Sequence, residues 1–367
     1  MTMTVRQGTR QKNGNKGDLW TRQSEAHTLA TVRLMRKFPS ARVFLSHVLA
    51  FSFGALILLG LLNVNAWNTT CSRDFDLLNP ELQCDKGFKE GVWDYEPLRD
   101  ALTAKKLAYK AAGTVSHLSI YFRDLNNGPR FGIGEYDKFH PASLRKLPVL
   151  IAYLHMADLN PAILDQTTSF SEALKTSPNI EESEQTIKPN TPYTVRELLT
   201  KMIVYSDNSS FTLLVNELNT SPPVLPYSTF RDLDILRMML DPNGDYVSIQ
   251  NYANLFPVLY NTGYLSKEMS QYALELLSQV TYKEGLVAGV PPDTRVAHKF
   301  GQRYVGKETE LHDCGIVYHP EAAYVLCVMT SGRNFDRQKS VIADVSRTVY
   351  DAVTSVSKDE LDRPTSL

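Results

Sequence analysis

The chain has 367 residues, 22% of them charged and 43% hydrophobic, with a formal net charge of −1. Such a composition excludes a collagen-like, low-complexity or wholly disordered chain. The charge is uneven: residues 1–42 carry nine Lys/Arg against Asp18 and Glu25, leaving 30 basic and 38 acidic residues beyond them, and an acidic body of that kind excludes a nucleic-acid partner, which requires a basic face.

Residues 1–42 are polar and basic and are expected to form a disordered cytoplasmic arm. Residues 43–62 read VFLSHVLAFSFGALILLGLL, without a formal charge, which is long enough for one helical crossing of a bilayer. Arg33, Arg36, Lys37 and Arg42 precede this run and Trp67 follows it at interface depth. The positive-inside bias then places the N-terminus in the cytoplasm and everything after Trp67 outside, so 43–67 is expected to be a single-pass signal anchor in the cell membrane. The other reading is a cleaved signal peptide, since Val64-Asn65-Ala66 resembles a small-residue cleavage site; the 42-residue leader favours the anchor. Residues 68–94, with Pro80 and Gly87, are expected to be an extracytoplasmic linker. The four cysteines (Cys71, Cys84, Cys314 and Cys327) suit an oxidising compartment, and pairs 71–84 and 314–327 are the disulfides it would allow.

The folded domain is expected over 95–358, with a tail at 359–367. Leu98, Ala101, Leu102, Leu107 and Ala108 share one face of a helix over 95–112. Two strands follow at 116–122 and 130–136, joined by the turn Asp124-Leu125-Asn126-Asn127-Gly128. A helix begins near Ser143, and 160–235 reads as mainly helical, including 195–205 and 209–218. Helices resume at 249–260 and 267–280, three strands follow at 295–300, 312–318 and 324–330, and a last helix covers 335–356. Strands at both ends around a helical insertion predict an α/β (α+β) fold, an antiparallel sheet flanked by terminal helices plus an all-α lobe. If Tyr318 pairs with Ala323, Cys314 falls opposite Cys327, either as a disulfide or as two small buried hydrophobes. His312, Asp313 and Cys314 cannot converge on a metal, because neighbouring strand residues point to opposite faces. Neither a metal nor a cofactor is expected.

Three short motifs carry chemistry. In Ser143-Leu144-Arg145-Lys146, at a helix start, hydroxyl and amine are one turn apart on one face. A lysine acts as a base only when desolvation or a neighbouring cation strips its proton, and Lys299 is the candidate neighbour. Ser206-Asp207-Asn208 sits at a break between helices, where polar side chains can reach a cleft; alone it would read as a helix-capping run. Lys299-Phe300-Gly301 lies on a strand. Ser355-Val356-Ser357-Lys358 is a decoy Ser-x-x-Lys in the last helix, and Lys283-Glu284-Gly285 is a second Lys-x-Gly close to the first.

Taken in order, Ser-x-x-Lys, Ser-Asp-Asn and Lys-x-Gly resemble the signature of class A β-lactamases and the penicillin-binding serine hydrolases, which share a β-lactamase-like, transpeptidase-like fold. The Phe139-His140-Pro141-Ala142-Ser143 approach and the run Leu286-Val287-Ala288-Gly289-Val290-Pro291 add to the resemblance. It implies Ser143 as nucleophile, Lys146 as base or proton relay, Ser206 as proton shuttle, Asn208 as substrate contact and Lys299 as carboxylate clamp. Gly301 and Gln302 line the substrate, with the Ser143 and Gln302 N–H groups holding the oxyanion. Two departures stand out. Phe300 replaces a hydroxyl residue, and the stretch 233–250 lacks the family's Glu-x-x-Leu-Asn pattern, Asp241 and Asp245 being the nearest carboxylates. The resemblance therefore implies an anchored serine hydrolase with a monomeric catalytic domain, acylated by a β-lactam or a peptidoglycan stem peptide, whose deacylation is in question. A D,D-peptidase and a non-enzymatic penicillin-binding or cell-wall sensor are the alternatives.

Overall fold

The computed structural model describes residues 47–48, 50–52, 54, 74–82, 94–126, 129–171, 185–220, 224–236, 239 and 246–361. Its centre is one antiparallel sheet of five strands: β1 (His117–Asp124), β2 (Arg130–Ile133), β3 (Val296–Val305), β4 (Glu308–Val317) and β5 (Tyr324–Gly332), in the order β2-β1-β5-β4-β3. Every residue of β5 is buried, because this middle strand is covered on both faces, and its sequence is accordingly almost continuously apolar. Its side chains alternate between two cores: Tyr324, Leu326 and Val328 enter one, and Val325, Cys327 and Met329 the other.

The first core is closed by the terminal helices, α1 (Glu96–Ala111) and, at the far end of the chain, Phe335–Leu361; Leu98 and Leu102 of α1 meet Ile342, Val345 and Val349 there. The second lies under the helical lobe, built from α2 (Lys146–Leu159), α3 (Val195–Val204), α4 (Asn208–Thr220), α5 (Val224–Asp232), α6 (Ile249–Ala253), α7 (Leu255–Tyr260) and α8 (Lys267–Ser278). α2 is apolar all round, with ten buried residues, as a helix at the centre of a lobe must be. The antiparallel sheet with flanking helices thus agrees with the sequence expectation.

Four details differ from it. The single helix expected over 249–260 is two, α6 and α7, because Pro257 has no N–H for the Ala253 carbonyl and its ring crowds that group. The hairpin β3–β4 runs to Val305↔Glu308, beyond the predicted strand ends, through a two-residue turn at Gly306, whose φ is +62°. The lobe is not purely helical, since Thr167–Thr168 pairs with Tyr193–Thr194. Finally, part of the expected linker is docked. Leu77 and Leu78 are each 2% exposed, Leu77 N–H donates to Gln271 at 3.1 Å, Tyr318 Oη donates to the Leu77 carbonyl at 2.9 Å, and Asp76 pairs with Arg295.

Cys314 and Cys327 face each other across β4 and β5 in the register anticipated from the hairpin and form a disulfide. Cys71 and Cys84 lie outside the described residues, as does most of the candidate span 43–62. No described helix is long and apolar enough to cross a membrane.

Candidate functional site

Ser143 lies in the 3₁₀ turn Ala142–Arg145, directly before α2 rather than inside it. First-turn N–H groups have no intrahelical acceptor, which suits the Ser143 N–H to an oxyanion. The turn is held in place by its neighbours. His140 Nδ1 accepts from Ala142 N–H at 3.1 Å, and Pro141 O accepts from Leu144 N–H at 2.9 Å. Gly301 of β3 presses against the same turn: a Cβ there would lie 2.8 Å from Pro141 O and 3.2 Å from Leu144 N. Gly301 therefore fixes how closely the strand approaches the turn bearing Ser143, and Gln302, half-buried, follows it on the strand.

Two lysines form the floor beneath the half-buried Ser143, Ser206 and Asn208. Lys146 is 2% exposed and Lys299 is fully buried. Lys146 Nζ donates to Asn208 Oδ1 at 2.7 Å and to the Ser206 carbonyl, and lies 3.1 Å from each of the hydroxyls Ser143 Oγ and Ser206 Oγ. Lys299 Nζ donates to Ser206 Oγ and to the Phe300 carbonyl, both at 3.0 Å. All three motifs thus meet around one hydroxyl. Burial and then repulsion from Lys299 push the Lys146 ammonium well below the usual lysine range, against the pull of Asp207. Burial likewise lowers Lys299 to about 7, with Asp313 opposing. A neutral Lys146 next to a serine hydroxyl is the arrangement a general base requires.

Ser206 reaches this position through a left-handed backbone, φ +56°, between α3 and α4. Ala142, immediately before Ser143, has φ +49°. Non-glycine residues in this region cost about 1–3 kcal/mol and persist where the surroundings over-determine them. Asp207 Oδ2 accepts from Ser210 N–H at 2.8 Å and Ser210 Oγ at 2.6 Å, so the middle residue of the motif is the one that caps α4. Asn208 is left to face Lys146.

Several participants carry no sequence signal. His298 Nδ1 and Asp313 Oδ1 lie 2.8 Å apart, both fully buried, and Asp313 Oδ2 accepts from Leu286 N–H at 2.9 Å. This knot ties β3 to β4 one residue before Lys299. Tyr282 stacks on Phe300 with ring centroids 4.2 Å apart and an interplanar angle of 19°. His312, Asp313 and Cys314 disperse to separate partners, His312 Nε2 lying 3.0 Å from the His140 carbonyl. The second Ser-x-x-Lys is a helix-surface serine, its Ser355 hydroxyl donating to Asp351 O at 2.9 Å. Among the described residues no carboxylate hydrogen-bonds to Ser143; Asp241 and Asp245 lie outside them.

Solved structures share this architecture. A β-lactamase from Chitinophaga pinensis is 24% identical, with a TM-score of 0.59 over 69% of this chain and 99% of that one. The protein PBP-A is 24% identical, with a TM-score of 0.55 over 65% and 90%. The TLA-1 extended-spectrum β-lactamase is 18% identical, with a TM-score of 0.60 over 69% and 98%. At these identities the likeness speaks to the fold. No curated protein sequence matches the chain. The family model of the β-lactamase enzyme family, however, matches residues 100–353, a span containing every motif residue around Ser206. By that match the chain belongs to the β-lactamase enzyme family.

Proposed function

We propose that this protein is a membrane-anchored serine hydrolase of class A β-lactamase type, acylated at Ser143 by β-lactams or by acyl-D-Ala-D-Ala-like peptides. The observation carrying this reading is the 3.1 Å contact from Lys146 Nζ to Ser143 Oγ, made by a lysine whose burial and cationic neighbour favour its neutral form. In the reaction Lys146 takes the serine proton as Oγ attacks the acyl carbon. The oxyanion gathers at the Ser143 and Gln302 N–H groups. Ser206, in contact with both lysines, passes a proton to the leaving nitrogen, and Asn208 orients the substrate amide. Lys299 keeps Lys146 deprotonated and aims the Ser206 hydroxyl.

The acyl-enzyme should be long-lived, since the stretch 233–250 contains no glutamate to activate water. That feature favours, as a second reading, a penicillin-binding D,D-peptidase acting on peptidoglycan; a PBP-A variant of the same fold has been solved as an acyl-enzyme with penicillin G. The uncharged run 43–62 and the basic residues before it support an outward-facing domain on a single-pass anchor, with the folded body over 95–358. A time course with a fluorescent penicillin tests the whole reading. Labelling that Ser143→Ala abolishes is expected, with decay over hours rather than seconds. Rapid decay would establish an efficient β-lactamase, and Ser143-independent labelling would refute the site. Labelling without turnover of any peptide would leave a non-enzymatic penicillin sensor.

A further inference from the structure

The third motif presents a substrate with aromatic carbon where the resemblance calls for a hydroxyl. Phe300 is half-buried and locked by its stack on Tyr282. Its ring centroid is 4.3 Å from Lys299 Nζ, so the ammonium is engaged by the ring as well as by Ser206 Oγ and the Phe300 carbonyl. An ammonium has three N–H donors, and those three partners absorb them. The lysine is fully buried and the Phe300 ring lies against its amine, so that ring is part of what covers the charge from an incoming carboxylate. The strand cannot tilt to open a route, because Gly301 already abuts Pro141 and Leu144. Arg303, the next cation on β3, stands directly opposite Glu310 and is matched by that charge. A carboxylate desolvated against the aromatic pair would lose its water without gaining a partner, whereas an arene would gain contact and edge or face interactions.

We propose that the Tyr282–Phe300 pair shifts the preference of this site toward acyl donors whose leaving-group side is uncharged and aromatic or apolar, so that the carboxylate-bearing β-lactams and peptides it also accepts react more slowly than they would with a hydroxyl at position 300. The proposal rests on acylation at Ser143 as set out above. In that step the Ser143 Oγ–acyl carbon bond forms and the acyl carbon–leaving-group bond breaks. The serine proton goes to Lys146, and Ser206 returns a proton to the leaving atom.

The test compares two donors that differ only at the leaving group, the phenyl ester and the meta-carboxyphenyl ester of phenylacetic acid. The full chain is used, and Ser143 acylation is followed by intact mass. Each second-order constant is divided by the ester's hydroxide-catalysed rate. The neutral ester should be preferred by about tenfold or more, in the range one hydrophobic subsite supplies. Phe300→Thr should narrow or reverse that ratio. Preference for the carboxylated ester in the unaltered protein, or an unchanged ratio in Phe300→Thr, overturns the proposal; the first comparison requires no variant to fold. Labelling by a penicillin with neither ester reacting also overturns it. Failure of penicillin and esters alike refutes acylation at Ser143 itself.

Discussion

Lys146 and Lys299 converge on the same oxygen, with their Nζ atoms 3.1 and 3.0 Å from Ser206 Oγ. Lys146 comes from the first position of α2 and Lys299 from the edge strand β3, and both are buried. Two buried ammonium groups at one hydroxyl repel, and every pKa unit by which one depresses the other corresponds to about 1.4 kcal/mol. Burying the two amines side by side therefore costs folding stability and lowers the affinity of Lys146 for its proton.

The first prediction concerns Lys299→Met. Without the neighbouring cation, Lys146 holds its proton to a higher pH, and the protonated form cannot act as base. The acid limb of the acylation rate should shift upward in pH, with a lower plateau because Ser206 loses its second donor. Loss of the base or its relay is worth roughly 10²–10⁴ in rate. The profile is read by stopped-time labelling with a fluorescent penicillin between pH 5 and 9, the expected working window for groups of this kind. An unshifted limb would show that Lys299 does not control Lys146.

The same variant should be more stable than the parent. The unfolded chain protonates Lys299 near the ordinary value of 10.5, while the folded protein does so only near 7. Stability is thus fully present above the unfolded value, falls as pH drops from 10.5 to about 7, and is constant below. Replacing such a group by an apolar one of similar size stabilises by about 1–4 kcal/mol. Urea unfolding should show this gain at pH 6 and its disappearance by pH 11, around the usual lysine value. A gain that does not change with pH would assign it to packing alone.

Gly301→Ala should damage both stability and acylation. The new Cβ would sit 2.8 Å from Pro141 O and 3.2 Å from Leu144 N, so either β3 or the turn bearing Ser143 must move. Overpacking of this kind costs about 1–3 kcal/mol. Acylation should fall by more than the loss of folded protein explains, because the displaced atoms belong to the nucleophile's own turn. Parent-like labelling kinetics would argue that the turn is compliant.

Leu78→Ala should cost about 2–5 kcal/mol, as for a leucine in any well-packed core. Its side chain is 2% exposed against the lobe, although it lies upstream of α1. Starting the chain at residue 95 should therefore destabilise the domain, while starting it at 72 should not. Equal melting temperatures for the two shortened chains would contradict the docking.

How much of this was legible in the sequence follows from distance along the chain. Ser143 and Lys146 are one helical turn apart, and the Cys314–Cys327 register follows from a short hairpin, so local geometry made both readable. The polar residues after Phe300 broke the alternation and hid the second half of β3. Ala142 and Ser206 gave no warning of their left-handed backbone, since glycine is the usual marker of that conformation. The docked leucines at 77 and 78 looked like linker because their partners lie close to two hundred residues later, Gln271 at a separation of 194.

By itself, then, the order of the motifs determined the family, because each motif is a short run with its own local geometry. The tertiary structure alone decided their chemical state. Ser206 meets Lys146 across 60 residues and Lys299 across 93, and Phe300 meets Tyr282 only through the packing of β3 against its neighbours. Burial, repulsion and stacking are properties of those contacts, and they lower the Lys146 ammonium and set the Tyr282–Phe300 pair beside Lys299.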